Sequence, residues 1–238
     1  MSAFLYGVAL QWKLDIRSKS LLITCYVVPL LFFAVMGGIF TSINPEAKYT
    51  LIQSMTVLGV STGALVGLPP TLVEIYGSDI KKVYKANGVP LYLGLVSVFL
   101  SAFTHLLIMC GIIYVVAPIA FDATPPKNLP LYFGTLAIFI AVSLSIGSVL
   151  GLSVKNQAKL TMVSQVIFLP SIMLSGIMFP VNLLPRIFKI VGKLVPATWG
   201  YKLMLIDGFN IETLWPLLVI LTSAFMLCGF WLKRLKSE

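Results

Sequence analysis

Few side chains in this sequence could do chemistry, and the one pattern that would supply a nucleophile stands in unsuitable surroundings. Gly59-Val60-Ser61-Thr62-Gly63 matches the G-x-S-x-G motif in which hydrolases present a reactive serine. That motif needs a sharp turn between a strand and a helix, with an acid and a histidine nearby. Here it lies in the middle of an apolar run, and the single histidine, His105, is far along the chain. The motif therefore does not predict a serine hydrolase.

His105 belongs to a polar stripe on another apolar run. Ser97, Ser101 and Thr104 precede it at helical spacing, so these side chains share one face of a helix. One interpretation is a polar surface that faces a substrate path or a proton site. The other is a buried hydrogen bond between helices, which a histidine without a carboxylate partner favours. The sequence leaves both interpretations open.

Other catalytic constellations do not occur in the sequence. Cys25, Cys110 and Cys228 lie in separate apolar runs without metal-site spacing, and we expect them to be small buried hydrophobes without a disulfide. The apolar runs lack the acidic residue that ion-coupled transporters usually keep near the middle of the membrane. The phosphate-binding pattern G-x-x-x-x-G-K-[ST] is missing too. We predict no catalytic residue, metal or cofactor in this chain, so energy for uphill transport must come from another polypeptide.

The composition indicates that lipid surrounds most of the chain. Hydrophobic residues make up 58% of the 238 positions, charged residues 11%, and the mean hydropathy is +0.99. Six apolar runs are each long enough to cross about 30 Å of hydrocarbon. The predicted fold is an all-α membrane protein with six transmembrane helices, forming a single domain over residues 1–238. The runs cover residues 21–41, 53–73, 91–117, 131–152, 160–180 and 213–232.

Lysines and arginines predict the orientation of these spans. The formal net charge of +9 comes from cations at the ends of apolar runs, where they contact lipid phosphates rather than nucleic acid. With the N-terminus inside, eleven cations fall in cytoplasmic segments and six in outer segments. This bias predicts a multi-pass protein of the cell membrane with both termini in the cytoplasm.

Residues 1–20 predict an amphipathic helix rather than a span. Leu5, Val8, Trp12 and Ile16 repeat at helical spacing, with charged residues at other positions. This pattern is typical of a helix that lies in the membrane interface. A solvated N-terminal arm is the alternative.

Between the second and third runs, residues 74–87 predict a second amphipathic helix. Ile80, Val83 and Tyr84 fall on one face, and the remaining positions are mostly lysine. Asn87-Gly88 is a typical C-terminal stop. We predict that a soluble motor protein binds this cytoplasmic loop.

Residues 181–212 are too short for a domain and too apolar for a free loop. Arg186, Lys189 and Lys193 lie opposite a set of aliphatic side chains, and prolines divide the segment. We predict two short helices that re-enter the outer leaflet, with their cations at the headgroups.

Small and hydroxyl-bearing residues form further stripes. Gly59, Gly63 and Gly67 repeat the GxxxG step in the second run, as Gly147 and Gly151 do in the fourth, and they predict close helix contacts within the chain or across a dimer. Hydroxyls on the second and fifth runs suit either a wall that a moderately apolar molecule passes or ordinary helix packing. These stripe residues are Ser54, Ser61, Thr161, Ser164, Gln165, Ser171 and Ser175.

The order of these parts resembles the membrane subunit of a type-2 ATP-binding-cassette (ABC) exporter over essentially the whole chain. Two motifs carry the resemblance. The first, similar to the family's E-x-x-G…K/R-x-x-P segment, comprises Glu74, Gly77, Lys81, Lys82, Val83, Tyr84, Lys85, Gly88, Val89 and Pro90. The second, similar to S-G-x-x-F-P…L-P…P-x-T, comprises Ser175, Gly176, Phe179, Pro180, Leu184, Pro185, Pro196, Ala197 and Thr198.

The resemblance implies a permease without enzymatic activity of its own. Residues 74–87 would be the coupling helix that seats in an ATPase subunit, with Glu74, Gly77 and residues 81–85 as its contacts. Two ATPase copies would bind ATP and Mg²⁺, and a second copy of this chain or a similar permease would complete the transporter. The path between the second and fifth spans would open outward past Met178, Phe179 and Pro180.

The short outer segments and hydroxyl-rich stripes favour an amphipathic drug, an antimicrobial peptide or a peptide toxin over a long glycan as the exported substrate. A secondary transporter or channel that works without an ATPase is the alternative function. An accessory membrane subunit that binds an ATPase without forming a path is another.

Overall fold

The computed structural model describes residues 3–77, 80–206 and 210–237, and every regular element in these ranges is helical. Six of the helices are long and apolar enough to cross a membrane, which confirms the predicted fold class and span number. We call them the first to sixth spans. They are Lys19–Ile43, Leu51–Gly77, Leu91–Phe121, Leu129–Ser153, Gln157–Leu174 and Ile211–Ser237.

The span boundaries agree with the sequence except at the end of the fifth span. That run was predicted to reach residue 180, but the helix ends at Leu174. Gly176 has a φ of +90°, a left-handed conformation that an α-helix cannot contain. The Ser175 side chain also accepts a hydrogen bond from the backbone N–H of Ile177. Hydropathy alone could not reveal this early end, because the next residues are still apolar.

The second span is the centre of the molecule. In its most apolar window 94% of the residues are buried, whereas the corresponding figure is 22% for the first and fifth spans. Polar side chains of the second span, such as Gln53, Thr56 and Thr62, are buried together with the apolar ones. The peripheral spans expose their apolar faces, as expected of helices in contact with lipid.

Glycines bring the second span close to its neighbours. A Cβ at Gly147 of the fourth span would collide with the backbone carbonyl of Ala64, and one at Gly151 would lie 2.9 Å from the Pro69 carbonyl. A Cβ at Gly63 would collide with Leu106 of the third span. These GxxxG steps therefore serve contacts within the chain, one of the two alternatives left by the sequence.

The connecting segments define two ends of the bundle. The loop-helix end carries the short helix Ile80–Ala86, which we call the loop helix, and the C-terminal part of the sixth span. The short-helix end carries two short helices, Arg186–Gly192 and Pro196–Leu205. At this second end, Lys48 and Asp122 form an ion pair of 3.3 Å between the segments that follow the first and third spans.

The two short helices differ in burial. Pro196–Leu205 packs against the second, fourth and sixth spans, and its Leu203 is 1% exposed. Arg186–Gly192 is mostly exposed, with Ile187 and Ile190 open to the surroundings. The prediction of two short helices in residues 181–212 is thus correct for the described part of that segment. Their re-entry into the outer leaflet stays a prediction.

Candidate functional site

The loop helix is fixed to the ends of the second and third spans. Tyr84 packs its ring against Gly94, where a Cβ would lie 3.1 Å from the tyrosine ring. Tyr76, near the end of the second span, donates a 2.5 Å hydrogen bond to the carbonyl of Leu91 at the start of the third. The two spans are therefore tied together directly beneath the loop helix.

The loop helix also ends as the sequence predicts. Gly88 has a φ of +66°, and the N–H of Val89 bonds to the Tyr84 carbonyl at 2.9 Å. The Asn87 side chain donates to the carbonyl of Val83 at 2.9 Å. The bond from Val89 to Tyr84 is the 6→1 bond of the Schellman motif, in which glycine carries the positive φ.

The predicted segment 74–87 begins differently in the structure. Glu74 and Gly77 belong to the last turns of the second span, because the apolar face of that span continues through the buried Tyr76. Ser78 and Asp79 lie outside the described residues, as does the side chain of Lys85. The predicted coupling helix is therefore the end of one helix followed by the loop helix Ile80–Ala86.

A second loop lies next to this surface, a contact that no sequence pattern predicts. The Gln157 side chain donates to a Glu74 carboxylate oxygen at 3.5 Å. A Cβ at Gly77 would lie 3.8 Å from the carbonyl of Lys155. The loop between the fourth and fifth spans thus lies beside the predicted contacts. Lys81, Lys82 and Val83 are on the same surface, where Val83 is 56% exposed and available to a partner protein.

The N-terminal helix, Ala3–Arg17, packs on the third span through a buried carboxylate. Asp15 is 3% exposed, and it accepts a 2.5 Å hydrogen bond from Ser101 and a 2.8 Å bond from Gln11. Burial raises the pKa of the Asp15 carboxyl above its ordinary value of 3.8, and these hydrogen bonds offset part of the increase. Asp15 is one of the charged residues outside the apolar repeat of this helix, so the sequence pattern does not predict its burial.

His105 is held at the same junction by aromatic side chains. Its Nδ1 and the hydroxyl of Tyr26 are hydrogen-bonded at 2.8 Å, and the Trp12 ring stacks on the imidazole at 4.1 Å. Its Nε2 is buried and has no hydrogen-bond partner among the described residues. The contacts favour the interhelix interpretation of the polar stripe. Three or more potential metal ligands are not grouped anywhere in the described ranges.

The face of the N-terminal helix was predicted incorrectly. Trp12 was assigned to a membrane face together with Leu5 and Ile16, but it packs inward while those two are about half exposed. The inward face includes Asp15, because the hydrogen bond from Ser101 holds its carboxylate against the third span. A pair such as Gln11 and Asp15, one helical turn apart, is a sequence signal that could have indicated this.

At the short-helix end, a cavity of about 530 Å³ opens between the first and second spans, the segment that follows the fifth span and the short helix Pro196–Leu205. Its wall includes Ser54 and all three predicted gate residues, Met178, Phe179 and Pro180. Ser54 donates a 3.3 Å hydrogen bond to the Tyr201 hydroxyl, also in the wall. The structure thus brings the gate residues together with the outermost hydroxyl of the predicted path.

The other residues of the predicted path lie in helix packing. Ser61 is 2% exposed in the middle of a helical span, a setting that differs from a nucleophile elbow. Ser171 and Ser175 are buried and donate to carbonyls of their own helix, those of Ile167 and Ile172. Ser164 is buried with no hydrogen-bond partner in the described part of the chain, and Gln165 beside it is partly exposed.

Comparison with known proteins finds similar sequences. The sequence model described as "ABC-2 type transporter" matches residues 3–209. Two curated proteins are 29% identical over 112 residues, and each is named "Probable multidrug ABC transporter permease YbhS", one from Escherichia coli (strain K12) and one from Escherichia coli O157:H7. The similar part covers 44% of this chain but 30% of the length of each relative.

Proposed function

This chain belongs to the ABC-2 type transporter family and is a multi-pass permease subunit of an ABC transporter; from that premise we propose that it exports an amphipathic substrate. ATP would be hydrolysed by a separate subunit, and the spans would alternate between inward-open and outward-open arrangements. The loop-helix end would face the cytoplasm, in agreement with the bias of the cations. The short-helix end, with its cavity, would face outward.

The observation that carries the proposal is the attachment of the loop helix to the central span. The loop helix follows directly on the second span, and Tyr76 bonds across to Leu91 of the third. A force on the loop helix therefore acts on the most buried helix in the bundle, which contacts most of the others. Packed helices move as rigid elements, so the displacement would reach the short-helix end.

The partners follow from the same surface. Two ATPase subunits, each binding ATP and Mg²⁺, would contact two permease subunits, either two copies of this chain or this chain with a similar one. Glu74, Gly77 and the loop helix with Lys81, Lys82, Val83, Tyr84 and Lys85 would seat in the ATPase. The N-terminal helix would lie at the membrane interface beside them, with Lys13 and Arg17 exposed.

The cavity supports an amphipathic substrate. Phe40, Met178 and Phe179 give it an apolar wall, and Ser54 and Tyr201 add hydroxyls. A drug, an antimicrobial peptide or a peptide toxin fits such a wall better than a long glycan does. The similar Escherichia coli proteins are named as multidrug permeases, which agrees with this substrate class.

Replacement of Glu74 by Ala tests the coupling surface. We expect the complex of the chain with its ATPase to lose substrate-stimulated ATP hydrolysis and export, because Glu74 lies where the two cytoplasmic loops meet. Glu212→Ala is the matched control, since Glu212 is an exposed acid that begins the sixth span at the other end. Normal stimulation and export in Glu74→Ala would overturn the proposed coupling role.

A further inference from the structure

A groove of about 640 Å³ lies at the loop-helix end, next to the C-terminal stop of the loop helix. It separates the start of the third span from the last turns of the sixth. Most of its lining is apolar or glycine, and two lysines stand at its sixth-span side. The lining residues are Gly88, Val89, Pro90, Leu91, Tyr92, Gly229, Leu232, Lys233 and Lys236.

One face of the sixth span lines this groove. Gly229, Lys233 and Lys236 are spaced by four and then three residues, so they follow one another along that face. A Cβ at Gly229 would meet nothing within 4 Å, which leaves an open notch beneath the lysines. The face therefore combines an apolar depression with positive charge at its cytoplasmic end.

Beyond the groove, exposed apolar side chains continue along the sixth span. Phe225, one turn before Gly229, is 53% exposed, and its ring lies 6.3 Å from that of Phe99 on the third span. Leu218 is exposed two turns further along the same face. This apolar track runs between the third and sixth spans, where a hydrocarbon chain would lie.

We propose that this groove binds an anionic phospholipid. The headgroup phosphate would lie between Lys233 and Lys236, and an acyl chain would pass Gly229 and follow Phe225. Basic pockets between transmembrane helices on the cytoplasmic side have the charge that anionic headgroups require, and lysine stems extend along apolar surface to reach them. The apolar track favours a lipid over the ATPase, because a soluble subunit would not extend along the side of a span.

Binding can be measured without the ATPase or a transport assay, so a negative result would leave the exporter proposal intact. The delipidated full chain in detergent would be titrated with phosphatidylglycerol or phosphatidylcholine, and bound lipid counted by native mass spectrometry. We expect phosphatidylglycerol to bind more tightly. Lys233→Ala with Lys236→Ala should weaken it about 30-fold, which corresponds to about 1 kcal/mol for each lysine.

A second variant tests the groove independently of its charge. Gly229→Leu adds a side chain in the notch, where a Cβ meets no atom within 4 Å, and we expect it to weaken phosphatidylglycerol binding by about tenfold. Lys127→Ala and Gly134→Leu are matched controls. Lys127 lines a cavity of about 380 Å³ at the opposite end, and a Cβ at Gly134 also meets nothing within 4 Å. Neither control should change binding.

Three results would overturn the proposal. In the first, the double lysine variant retains wild-type affinity for phosphatidylglycerol. In the second, Gly229→Leu behaves like Gly134→Leu. In the third, purified ATPase displaces the lipid from the wild-type chain and fails to bind the lysine variant, which would assign the groove to the protein interface.

Discussion

The polar stripes of the third and fifth spans look alike in sequence and differ in the bonds that they make. On the third span, Ser101 bonds to Asp15 of the N-terminal helix and His105 bonds to Tyr26 of the first span. On the fifth span, Ser171 and Ser175 bond to carbonyls of their own helix. One stripe joins three helices, and the other makes no described hydrogen bond to a neighbouring helix.

This difference separates a fixed part of the molecule from a part that can move. Parting the third span from the N-terminal helix would take the Ser101 donor away from the Asp15 carboxylate, which is costly. Parting the fifth span from the second would break the bond from Gln157 to Glu74 at the loop-helix end. It would leave the hydroxyls of Ser171 and Ser175 bonded, because their acceptors lie on the same helix. We therefore predict that the fifth span separates from the second more readily than the third span separates from the N-terminal helix.

The largest expected effect is a difference in chemical accessibility. Ser171 and Ser101 are both buried, at 4% and 1% exposure. In a background where Cys25, Cys110 and Cys228 are replaced, we expect Ser171→Cys to react with an external, charged thiol reagent only while the ATPase hydrolyses ATP. Ser101→Cys should stay unreactive throughout, because its helix contacts do not open. Mass spectrometry of the labelled chain measures both rates.

Equal labelling of the two cysteines would remove the distinction between the stripes. Labelling of Ser171→Cys that is independent of ATP would show that the fifth span moves without the ATPase. That result would favour a channel or a secondary transporter over the exporter.

Much of this arrangement can be predicted from the sequence, because hydropathy and cation placement depend on few neighbours. The six spans, the helix stop at Gly88 and the two short helices can be predicted from apolar runs and from the glycines and prolines at their ends. The family resemblance predicts that Met178, Phe179 and Pro180 form a gate; the three residues line one cavity, and their role as a gate stays a prediction.

Contacts between distant segments could not be predicted in the same way. Asp15 and Ser101 are 86 residues apart, and no pattern in either segment predicts the hydrogen bond between them. The carboxylate looked solvated because charged residues of short amphipathic helices usually are. The contact between Gln157 and Glu74 joins loops 83 residues apart and was missed for the same reason. The periodicity of a single sequence predicts the apolar and polar faces of each helix, but it does not identify which helix faces contact each other.

A matched pair of serine substitutions measures the energetic difference between the stripes. Ser101→Ala should destabilise the chain by about 2 kcal/mol, since a buried hydrogen bond to a charged group contributes roughly 1.5–3 kcal/mol. Ser171→Ala should change stability by less than about 0.5 kcal/mol, because its bond stays within one helix. Thermal unfolding in detergent compares the two variants. Similar losses in both would contradict the assignment of a fixed stripe and a mobile one.

A smaller effect is expected at the other bond of the fixed stripe. Tyr26→Phe removes the hydroxyl that bonds to His105 and leaves the rest of the ring in place. A neutral hydrogen bond contributes about 1 kcal/mol, so the variant should lose roughly half as much stability as Ser101→Ala. Tyr114→Phe is a control on the third span, because its ring packs against Tyr132 and Phe133. A larger loss in the control than in Tyr26→Phe would exclude a role for this bond.

The smallest expected effect is a change in the pH dependence of stability. The pKa of Asp15 is raised in the folded chain, chiefly by burial. The folded state therefore holds this proton more tightly than the unfolded state, and the contribution of Asp15 to stability falls as pH rises from 3.8 through the raised folded value. Asp15→Asn lacks that titration. The difference in melting temperature between wild type and Asp15→Asn should therefore decrease with rising pH, and an increase would show that the hydrogen bonds outweigh the burial of the carboxylate.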